Sequence, residues 1–327
     1  MPFFTKSFTV VGFCLPMKNQ ITLKAYGKIN MSLDVKGVMD DGYHEVEMVM
    51  QGIKLHDEVK IKTLHKDAGG IKISLGVNKW YLPKDEKNIA YKAALLMGKI
   101  NPDINGEIRI DIKKELPVGA GLAGGSGNGA AVLLGLNKLW DLGLTLKELM
   151  KIGEKLGADV PFSMMIQAKM NEALGFKDDE FASVAALAKG TGTRLTPIKP
   201  FGCNMVLVKP KFSVSTKEVY REIDRFDPQI RPNNKELIKA MENKNYREMK
   251  KNMVNILELY TLHRYSIVDD IKREMIDLLG EESLVLMTGS GPTVYGLTQN
   301  HKAAKIVFER MKDRYPESFV SGTLSYI

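Results

Sequence analysis

The first third of the chain alternates apolar and polar residues, a pattern that predicts β-strands. Ile21, Leu23 and Ala25 alternate with polar neighbours, and the same period of two recurs further along the chain. The additional runs lie at residues 29–35, 46–53, 58–63, 70–75 and 108–112. We predict a meander of short strands in this part, with a turn at Gly42.

Apolar residues at helical spacing predict helices between and after these strands. One is expected to begin after Thr145, because Thr145 and Glu148 have the spacing of a capping box, and to end before Gly157. Residues 162–188 are rich in methionine and alanine and are also predicted to be helical, with a polar break at 177–180. Other helices are predicted at 88–100, 130–140, 216–223, 234–240, 267–279 and 302–314, and later strands at 205–208, 285–287 and 294–297.

Length and composition predict two packed domains. The chain has 327 residues, of which 44% are hydrophobic and 26% charged, so neither a disordered nor a fibrous protein is expected. No run approaches the roughly 18 apolar residues of a membrane-spanning helix, and we expect a cytoplasmic protein. We assign residues 1–20 to a disordered extension, or to an upstream start before Met17, residues 21–198 to an N-terminal domain and residues 199–327 to a C-terminal domain.

The formal charge of +8 is compatible with nucleic acid, an anionic surface or phosphorylated small molecules as partners. Basic residues are interleaved with acidic ones, as in Lys235-Glu236 and Arg247-Glu248, rather than gathered into long basic runs. This pattern argues against a nucleic-acid-binding protein. The two cysteines, Cys14 and Cys203, are far apart, so we expect neither a disulfide framework nor a cysteine-rich metal site.

A segment from Pro117 to Ala130 has six glycines between a predicted strand and a predicted helix. In such a segment, backbone N–H groups and the helix N-terminus can bind phosphate. Six glycines without a ligand would cost about 1 kcal/mol each relative to alanine, so we favour phosphate binding over an empty hairpin. Gly119, Gly121 and Gly124 match G-x-G-x-x-G, but the acidic residue of a dinucleotide-binding fold is missing about twenty residues later. The P-loop and protein-kinase motifs are also missing, which leaves a third mode of ATP binding.

Several polar residues have both a structural and a chemical interpretation. Asp159 follows a predicted helix end, and from sequence alone a helix N-cap is the better interpretation of it. Lys28 lies in a predicted strand, where a lone lysine is usually solvated. Tyr43 and His44 follow a glycine turn, which is common in hairpins and also suits contact with a nucleobase. Asn88 directly precedes a predicted helix and suits its N-cap.

Four ordered motifs resemble the GHMP kinase superfamily. Residues 116–131 are similar to its ATP-binding motif and residues 287–294 to its C-terminal glycine motif. Residues 25–30 with 41–45, and residues 156–162, are similar to the members that act on 4-diphosphocytidyl-2-C-methyl-D-erythritol. The resemblance implies an α+β protein with the two-domain GHMP kinase fold and an active site in the interdomain cleft. It also implies an ATP-dependent kinase that phosphorylates the 2-hydroxyl of this substrate in the non-mevalonate pathway to isoprenoid precursors.

The resemblance also implies roles for individual residues. Asp159 would remove the proton of the acceptor hydroxyl, and Lys28 beside it would stabilise developing negative charge. ATP binding is expected from Asn88 and from Pro117, Val118, Gly119, Ala120, Gly121, Leu122, Ala123, Gly124, Gly125, Ser126 and Gly127. Substrate binding is expected from Asn30, Tyr43, His44, Thr216, Tyr220, Gly289, Ser290 and Gly291, with Tyr43, His44 and Tyr220 around the cytosine. The expected cofactors are ATP and Mg²⁺, with Ser126 as a metal ligand.

We expect a small-molecule substrate, no nucleic acid or membrane as a partner, and a monomer or weak homodimer. Two alternatives remain among proteins of similar fold or charge: a mevalonate or homoserine type of GHMP kinase, and a basic nucleic-acid-binding protein. A third is an inactive scaffold, because residues 126–129 read Ser-Gly-Asn-Gly where relatives often have Ser-Ser-Asp-Ala.

Overall fold

The computed structural model describes residues 19–65, 70–280 and 282–326. The disordered extension predicted for residues 1–20 therefore lies almost entirely outside the described residues. Its last residue, Gln20, is already the first residue of a strand, so this end of the predicted boundary was wrong by one position.

Two long antiparallel strands, β1 (Gln20–Val38) and β2 (His44–His65), form the centre of the N-terminal half. The prediction of several short strands here was wrong about their number. Register shifts in the pairing lie between Tyr26 and Lys28, between Asn30 and Ser32, and between Val35 and Gly37. A bulge breaks the alternation of side chains while the strand continues, which is why one long strand looked like two short ones.

Four further strands complete this sheet in the order β3-β4-β2-β5-β6, with β1 along the other side of β2. They are β3 (Ile71–Val77), β4 (Gly106–Lys113), β5 (Ala185–Gly190) and β6 (Arg194–Pro197). The helices of this half are α1 (Ile89–Ile100), α2 (Gly124–Leu139), α3 (Leu146–Gly153) and α4 (Val160–Met170). They pack on the sheet and on one another. Because α2 and α4 both pack against β1, the loops that precede these two helices lie close to β1.

Three helix predictions in this half need correction. Helix α2 begins at Gly124, inside the glycine-rich segment, and not at residue 130. The capping box at Thr145 is confirmed, but α3 ends at Gly153, before the predicted end. The stretch 162–188 is α-helical only to Met170, a short 3-10 helix follows at Glu172–Leu174, and Ala185 begins the strand β5. Ala185 and Ala186 at the start of β5 are both buried although they point to opposite faces, so this part of the strand lacks alternation and resembles a buried helix in sequence.

The C-terminal half has a four-stranded antiparallel sheet in the order β10-β7-β9-β8. Its strands are β7 (Asn204–Lys209), β8 (Leu284–Met287), β9 (Val294–Thr298) and β10 (Glu317–Gly322). Its helices are α5 (Thr216–Ile223), α6 (Asn234–Glu242), α7 (Tyr246–Asn252), α8 (Glu258–Arg264), α9 (Ser266–Leu279) and α10 (His301–Met311). The sequence did not predict α7, α8 or β10. The predicted division after residue 198 falls between the two sheets.

The two halves share main-chain bonds and a buried core. Leu33 N donates to Val254 O at 2.9 Å, and Ile256 N donates to Leu33 O at 2.9 Å. Ile29 and Met31 on β1 belong to the same buried cluster as Tyr295 on β9. These contacts fix β1 against the C-terminal sheet. In the part of the chain that the structure describes, no helix is both long and apolar enough to span a bilayer.

Candidate active site

Lys28 lies on β1 directly after the bulge at Gly27, and it is only 4% exposed. Its Nζ donates to Asn30 Oδ1 at 2.7 Å and lies 3.9 Å from Asp159 Oδ2. Lys28 and Asn30 share a face of the strand because they are two residues apart. The interpretation of Lys28 as a solvated strand lysine was therefore wrong, and the structure brings together the lysine, amide and carboxylate of the predicted site.

Asp159 occupies the N-cap position of α4 but makes no capping hydrogen bond with its side chain. Its φ of −81° and ψ of −11° are helical, whereas an N-cap residue usually has extended angles. Its side chain is 35% exposed. The N-cap interpretation of Asp159 is therefore confirmed for its position but not for its side chain, because the carboxylate faces Lys28 and keeps access to a ligand.

The glycine-rich segment enters α2 without a side-chain cap. Its N-cap residue is Ala123, which has a left-handed φ of +56° and makes no side-chain bond to the first turn. The first N–H groups of a helix have no partner within the helix. An uncapped first turn after a glycine loop is therefore suited to an anionic ligand.

The glycine loop packs against both β1 and the C-terminal glycine turn. Lys28 N donates to Leu122 O at 3.1 Å. Gly121 has a φ of +72°, and a Cβ at this position would lie 2.3 Å from Thr288 O. Thr288 Oγ1 in turn accepts from Asn30 N at 3.2 Å and donates to Gly121 O at 3.3 Å. Gly121 must therefore be glycine for conformational and steric reasons, and Thr288 links the loop to the buried polar residues.

Further predicted substrate residues come together from the two halves. The His44 and Tyr220 rings lie 5.2 Å apart at 45°. His44 Nε2 lies 2.9 Å and 3.0 Å from the two carboxylate oxygens of Asp224. Burial raises the pKa of Tyr220, and the negative charge of Asp159 raises it further. Tyr43, by contrast, is 67% exposed.

The C-terminal turn adds one more contact among predicted residues. The hydroxyls of Thr216 and Ser290 are 2.8 Å apart. Ser290 is 6% exposed, so Thr216 at the start of α5 is tied to the turn that supports the glycine loop.

Comparisons with known proteins identify the family of the chain. The family model "GHMP kinases N terminal domain" matches residues 88–167, and "GHMP kinases C terminal" matches residues 237–317. A protein of Clostridium botulinum (strain Alaska E43) named 4-diphosphocytidyl-2-C-methyl-D-erythritol kinase is 43% identical over 303 residues, covering 92% of this chain and 99% of that protein. A protein of Acetivibrio thermocellus with the same name is 43% identical over 93% of this chain and 99% of its own length. The chain belongs to this family of GHMP kinases.

A solved structure supports the same family. The crystal structure of a 4-(cytidine 5'-diphospho)-2C-methyl-D-erythritol kinase is similar with a TM-score of 0.72 and 26% identity. The match covers 94% of this chain and 100% of the other. The α+β two-domain GHMP kinase fold expected from the sequence is confirmed.

Two predicted residues of this GHMP kinase have a less direct relation to the cluster. Asn88 caps α1, because its Oδ1 accepts from Ala90 N at 3.0 Å and its Nδ2 donates to Pro83 O at 2.9 Å. The N-cap interpretation of Asn88 is confirmed, and its contact with ATP stays a prediction. Ser126 lies half-buried in the first turn of α2. Among the described residues, no group of three His, Cys, Asp or Glu side chains is arranged to hold a metal ion.

Sequence reasoning missed several residues that shape the site of this GHMP kinase. Asp224 follows a helix with no motif around it, and nothing in the sequence pointed to His44 as its partner. Thr288 lies within the C-terminal glycine motif, residues 287–294, so this motif was a signal from which its role could have been predicted. Asp57 and Asn128 contact each other beneath the glycine loop. The side chain of Asn128 thus points into the protein, where it is 4% exposed.

Proposed function

We propose that this kinase transfers the γ-phosphoryl group of ATP to the 2-hydroxyl of 4-diphosphocytidyl-2-C-methyl-D-erythritol by direct in-line attack. The observation that carries the proposal is the approach of buried Lys28 to Asp159, 3.9 Å apart, beside a glycine loop that contacts the backbone of Lys28. The relatives that are 43% identical carry the name of this activity. No covalent enzyme intermediate is needed, because the alcohol itself attacks phosphorus.

Asp159 has the position for a general base. A neutral hydroxyl is a weak nucleophile, and a carboxylate within hydrogen-bond distance can accept its proton as the bond to phosphorus forms. The side chain is partly exposed, so a bound alcohol can reach it. The carboxylate also lies at the N-terminus of α4, where the helix dipole favours negative charge.

Lys28 supplies a fixed positive charge next to this base. Asn30 accepts a hydrogen bond from Lys28 Nζ at 2.7 Å, which holds the ammonium group in place within the buried strand. A preoriented charge in a water-poor site stabilises developing negative charge more strongly than the same charge in water. We assign to Lys28 the stabilisation of the acceptor oxygen and of the transferred phosphoryl group.

The glycine loop provides the ATP site in this proposal. Residues Pro117 to Ala123 form its wall, and the uncapped N–H groups at the start of α2 face the phosphates. Mg²⁺ usually keeps several waters and binds substrate phosphates together with one or two protein ligands. The chain fits this arrangement better than a protein cage, since it offers the Ser126 hydroxyl near the loop. Mg²⁺ would neutralise phosphate charge there.

The cytosine binds where His44 and Tyr220 meet, with exposed Tyr43 free to cover it. We propose that the active site lies in the cleft between domains 21–198 and 199–327, and the ring contact between His44 of the N-terminal half and Tyr220 of the C-terminal half supports this location. We further propose a cytoplasmic enzyme that acts on a small molecule rather than nucleic acid, as a monomer or weak homodimer.

The test is ADP release with MgATP and three acceptors offered separately: the cytidyl substrate, mevalonate and homoserine. We expect turnover with the cytidyl substrate and at most traces with the other two, and phosphorus NMR should show a new phosphate monoester. Faster turnover with mevalonate or homoserine would contradict the substrate, and no turnover with any acceptor would contradict the kinase activity.

A further inference from the structure

A buried amide, Asn255, lies in the short segment between α7 and α8 and is only 2% exposed. Its Nδ2 donates to the main-chain carbonyl oxygens of both Met287 and Gly289 at 2.8 Å. Its Oδ1 accepts from Leu257 N at 3.1 Å. An amide nitrogen carries two hydrogens, and both are used here. The side chain therefore has one orientation, and both of its donors are bonded to the C-terminal glycine turn.

Two more side chains close by in sequence bond the same turn. Glu258, the first residue of α8, accepts from Met287 N at 2.8 Å. Thr261, in the next turn of the helix, is completely buried, and its Oγ1 donates to Ser290 O at 3.3 Å. Four main-chain groups of residues 287–290 are therefore bonded by three side chains that follow one another at intervals of three residues.

The segment that carries Asn255 is also bonded to β1. Leu33 N donates to Val254 O, and Ile256 N donates to Leu33 O, both at 2.9 Å. Residue 255, between them, forms a β-bridge with Leu33. Leu33 lies three residues after Asn30 on the same strand. Asn255 thus has its main chain on β1 and its side chain on the glycine turn, so it links the two directly.

The position of this turn matters because Thr288 within it contacts two parts of the candidate site. Thr288 Oγ1 accepts from Asn30 N and donates to Gly121 O of the glycine loop. Asn30 Oδ1 in turn accepts from Lys28 Nζ. A shift of the turn would therefore reach the amide that orients the lysine ammonium. Misplacing a reacting group by about 1 Å can lower a rate by about a hundred-fold.

We propose that Asn255 is a positioning residue for phosphoryl transfer, which sets the place of the C-terminal glycine turn relative to Lys28 on β1. Glu258 and Thr261 support the same turn with one bond each. Asn255 contacts neither substrate and acts through Thr288. The inference rests on the proposed function, because the rate that Asn255 controls is the rate of phosphoryl transfer.

Asn255→Asp is the main test, because it changes only the group that faces the turn. The introduced carboxylate can still accept from Leu257 N, but its other oxygen would lie about 2.8 Å from two carbonyl oxygens in place of their donor. The kcat should fall by about ten-fold to about a hundred-fold. The affinity for MgATP, measured by calorimetry, should change much less, because Lys28 N still bonds the glycine loop at Leu122 O.

Asn252→Asp is the matched control. Asn252 is the last residue of α7, and its Nδ2 also donates to a main-chain carbonyl, Glu248 O at 2.8 Å within the same helix. This variant exchanges the same groups three residues earlier without changing a bond to the turn. It should lower thermal stability and keep the kcat of wild type. A loss of kcat as large as that of Asn255→Asp would show a general effect of the segment and overturn the proposal.

Thr261 provides a graded test through a second donor. Thr261→Val keeps the branched shape but removes the bond to Ser290 O, so kcat should fall by about two-fold to about five-fold. Thr261→Ser keeps the hydroxyl and should have nearly the kcat of wild type, although loss of a buried methyl group lowers its thermal stability. Equal kcat values in the valine and serine variants would contradict positioning through hydrogen bonds.

Amide exchange examines the turn without any substrate. Asn255→Asp should lose protection at residues 287–291, and Asn252→Asp should not. If another acceptor replaces the cytidyl substrate, the kcat values are compared with that acceptor. If no acceptor is phosphorylated, the proposed function fails, and the exchange pattern alone decides whether Asn255 holds the turn. Unchanged protection in Asn255→Asp overturns the inference, and if this variant does not fold, the comparison of Thr261→Val with Thr261→Ser decides.

Discussion

The two ends of the candidate site differ in how the protein holds them. At the phosphoryl end, Lys28 and Asn30 are 4% and 1% exposed and are bonded to each other. Lys28 is bonded to the glycine loop directly through its backbone N, and Asn30 is linked to it through Thr288. At the base end, Tyr43 is 67% exposed, and the Asp224 side chain that contacts His44 is 48% exposed. The phosphoryl end is therefore formed before ligand binding, whereas the base end combines a largely buried imidazole, His44 at 11% exposure, with the exposed side chains of Tyr43 and Asp224.

This difference follows from what each end has to do. Stabilising charge during phosphoryl transfer needs groups that are already oriented and shielded from water. Holding a nucleobase needs aromatic surface and a few hydrogen bonds that form as the ligand arrives. Substitutions at the phosphoryl end should therefore lower kcat, and those at the base end should raise the KM of one substrate.

Asp159→Asn should have the largest effect. The amide keeps the shape of the carboxylate but cannot accept the hydroxyl proton, so kcat should fall by about 10²–10⁴, the usual contribution of a general base. ATP binding should stay within about threefold of wild type, because the glycine loop is unchanged. Stopped assays of ADP release and calorimetry with MgATP measure the two quantities.

Asp179→Asn is the control for this variant, because Asp179 accepts from Phe181 N in a nearby turn and has no contact with Lys28 among those described. It should keep the kcat of wild type. A near-normal kcat in Asp159→Asn would show that the phosphoryl end does not depend on a base at this position.

His44→Ala should have the next largest effect, and it should change the KM for the cytidyl substrate rather than kcat. Loss of a base–aromatic contact worth about 1–3 kcal/mol raises the KM for the cytidyl substrate by about five-fold to about a hundred-fold. The KM for ATP should hardly change. His56→Ala is a matched control, since His56 is also on β2 and its ring lies 5.0 Å from a tyrosine, Tyr26. Equal increases in the KM for ATP and for the cytidyl substrate would show that His44 does not contact the base.

The sequence predicted the phosphoryl end better than the supports beneath it. Lys28 and Asp159 were assigned through motifs, and the structure places them together. Asp57 carried no signal, because an isolated aspartate at the end of an alternating strand resembles a solvated residue. Its partners Lys114 and Asn128 are 57 and 71 residues away, a relation that only the fold creates. The contact between His44 and Asp224 is likewise created only by the fold, so the sequence did not predict Asp224. The strand β5 was missed because its buried alanines show no period.

Gly125→Ala tests whether ATP approaches the loop as proposed. A Cβ on Gly125 would meet nothing in the protein closer than Ile89 Cδ1 at 3.5 Å. Alanine should therefore leave stability unchanged or raise it by up to about 1 kcal/mol, while the added methyl group raises the KM for ATP several-fold. Thermal unfolding and ATP kinetics on one preparation measure both.

Gly127→Ala gives the opposite pattern and serves as the comparison for this variant. Its Cβ would lie 3.3 Å from Tyr26 O, inside the protein, so stability should fall. An unchanged KM for ATP in Gly125→Ala would mean that the outer side of the first turn of α2 does not face the phosphates.

Asp224→Asn should have the smallest effect. Its contact with His44 lies near the surface, and exposed charge pairs contribute about 0–1 kcal/mol, so the KM for the cytidyl substrate should rise by no more than about five-fold. The asparagine oxygen can still accept from His44 Nε2 and hold the ring toward Tyr220. If Asp224→Asn instead raised that KM as much as His44→Ala does, the carboxylate itself would have to contact the base. The open end of the site would then depend on a fixed charge, as the buried end does, and the difference between the two ends would lie in exposure alone.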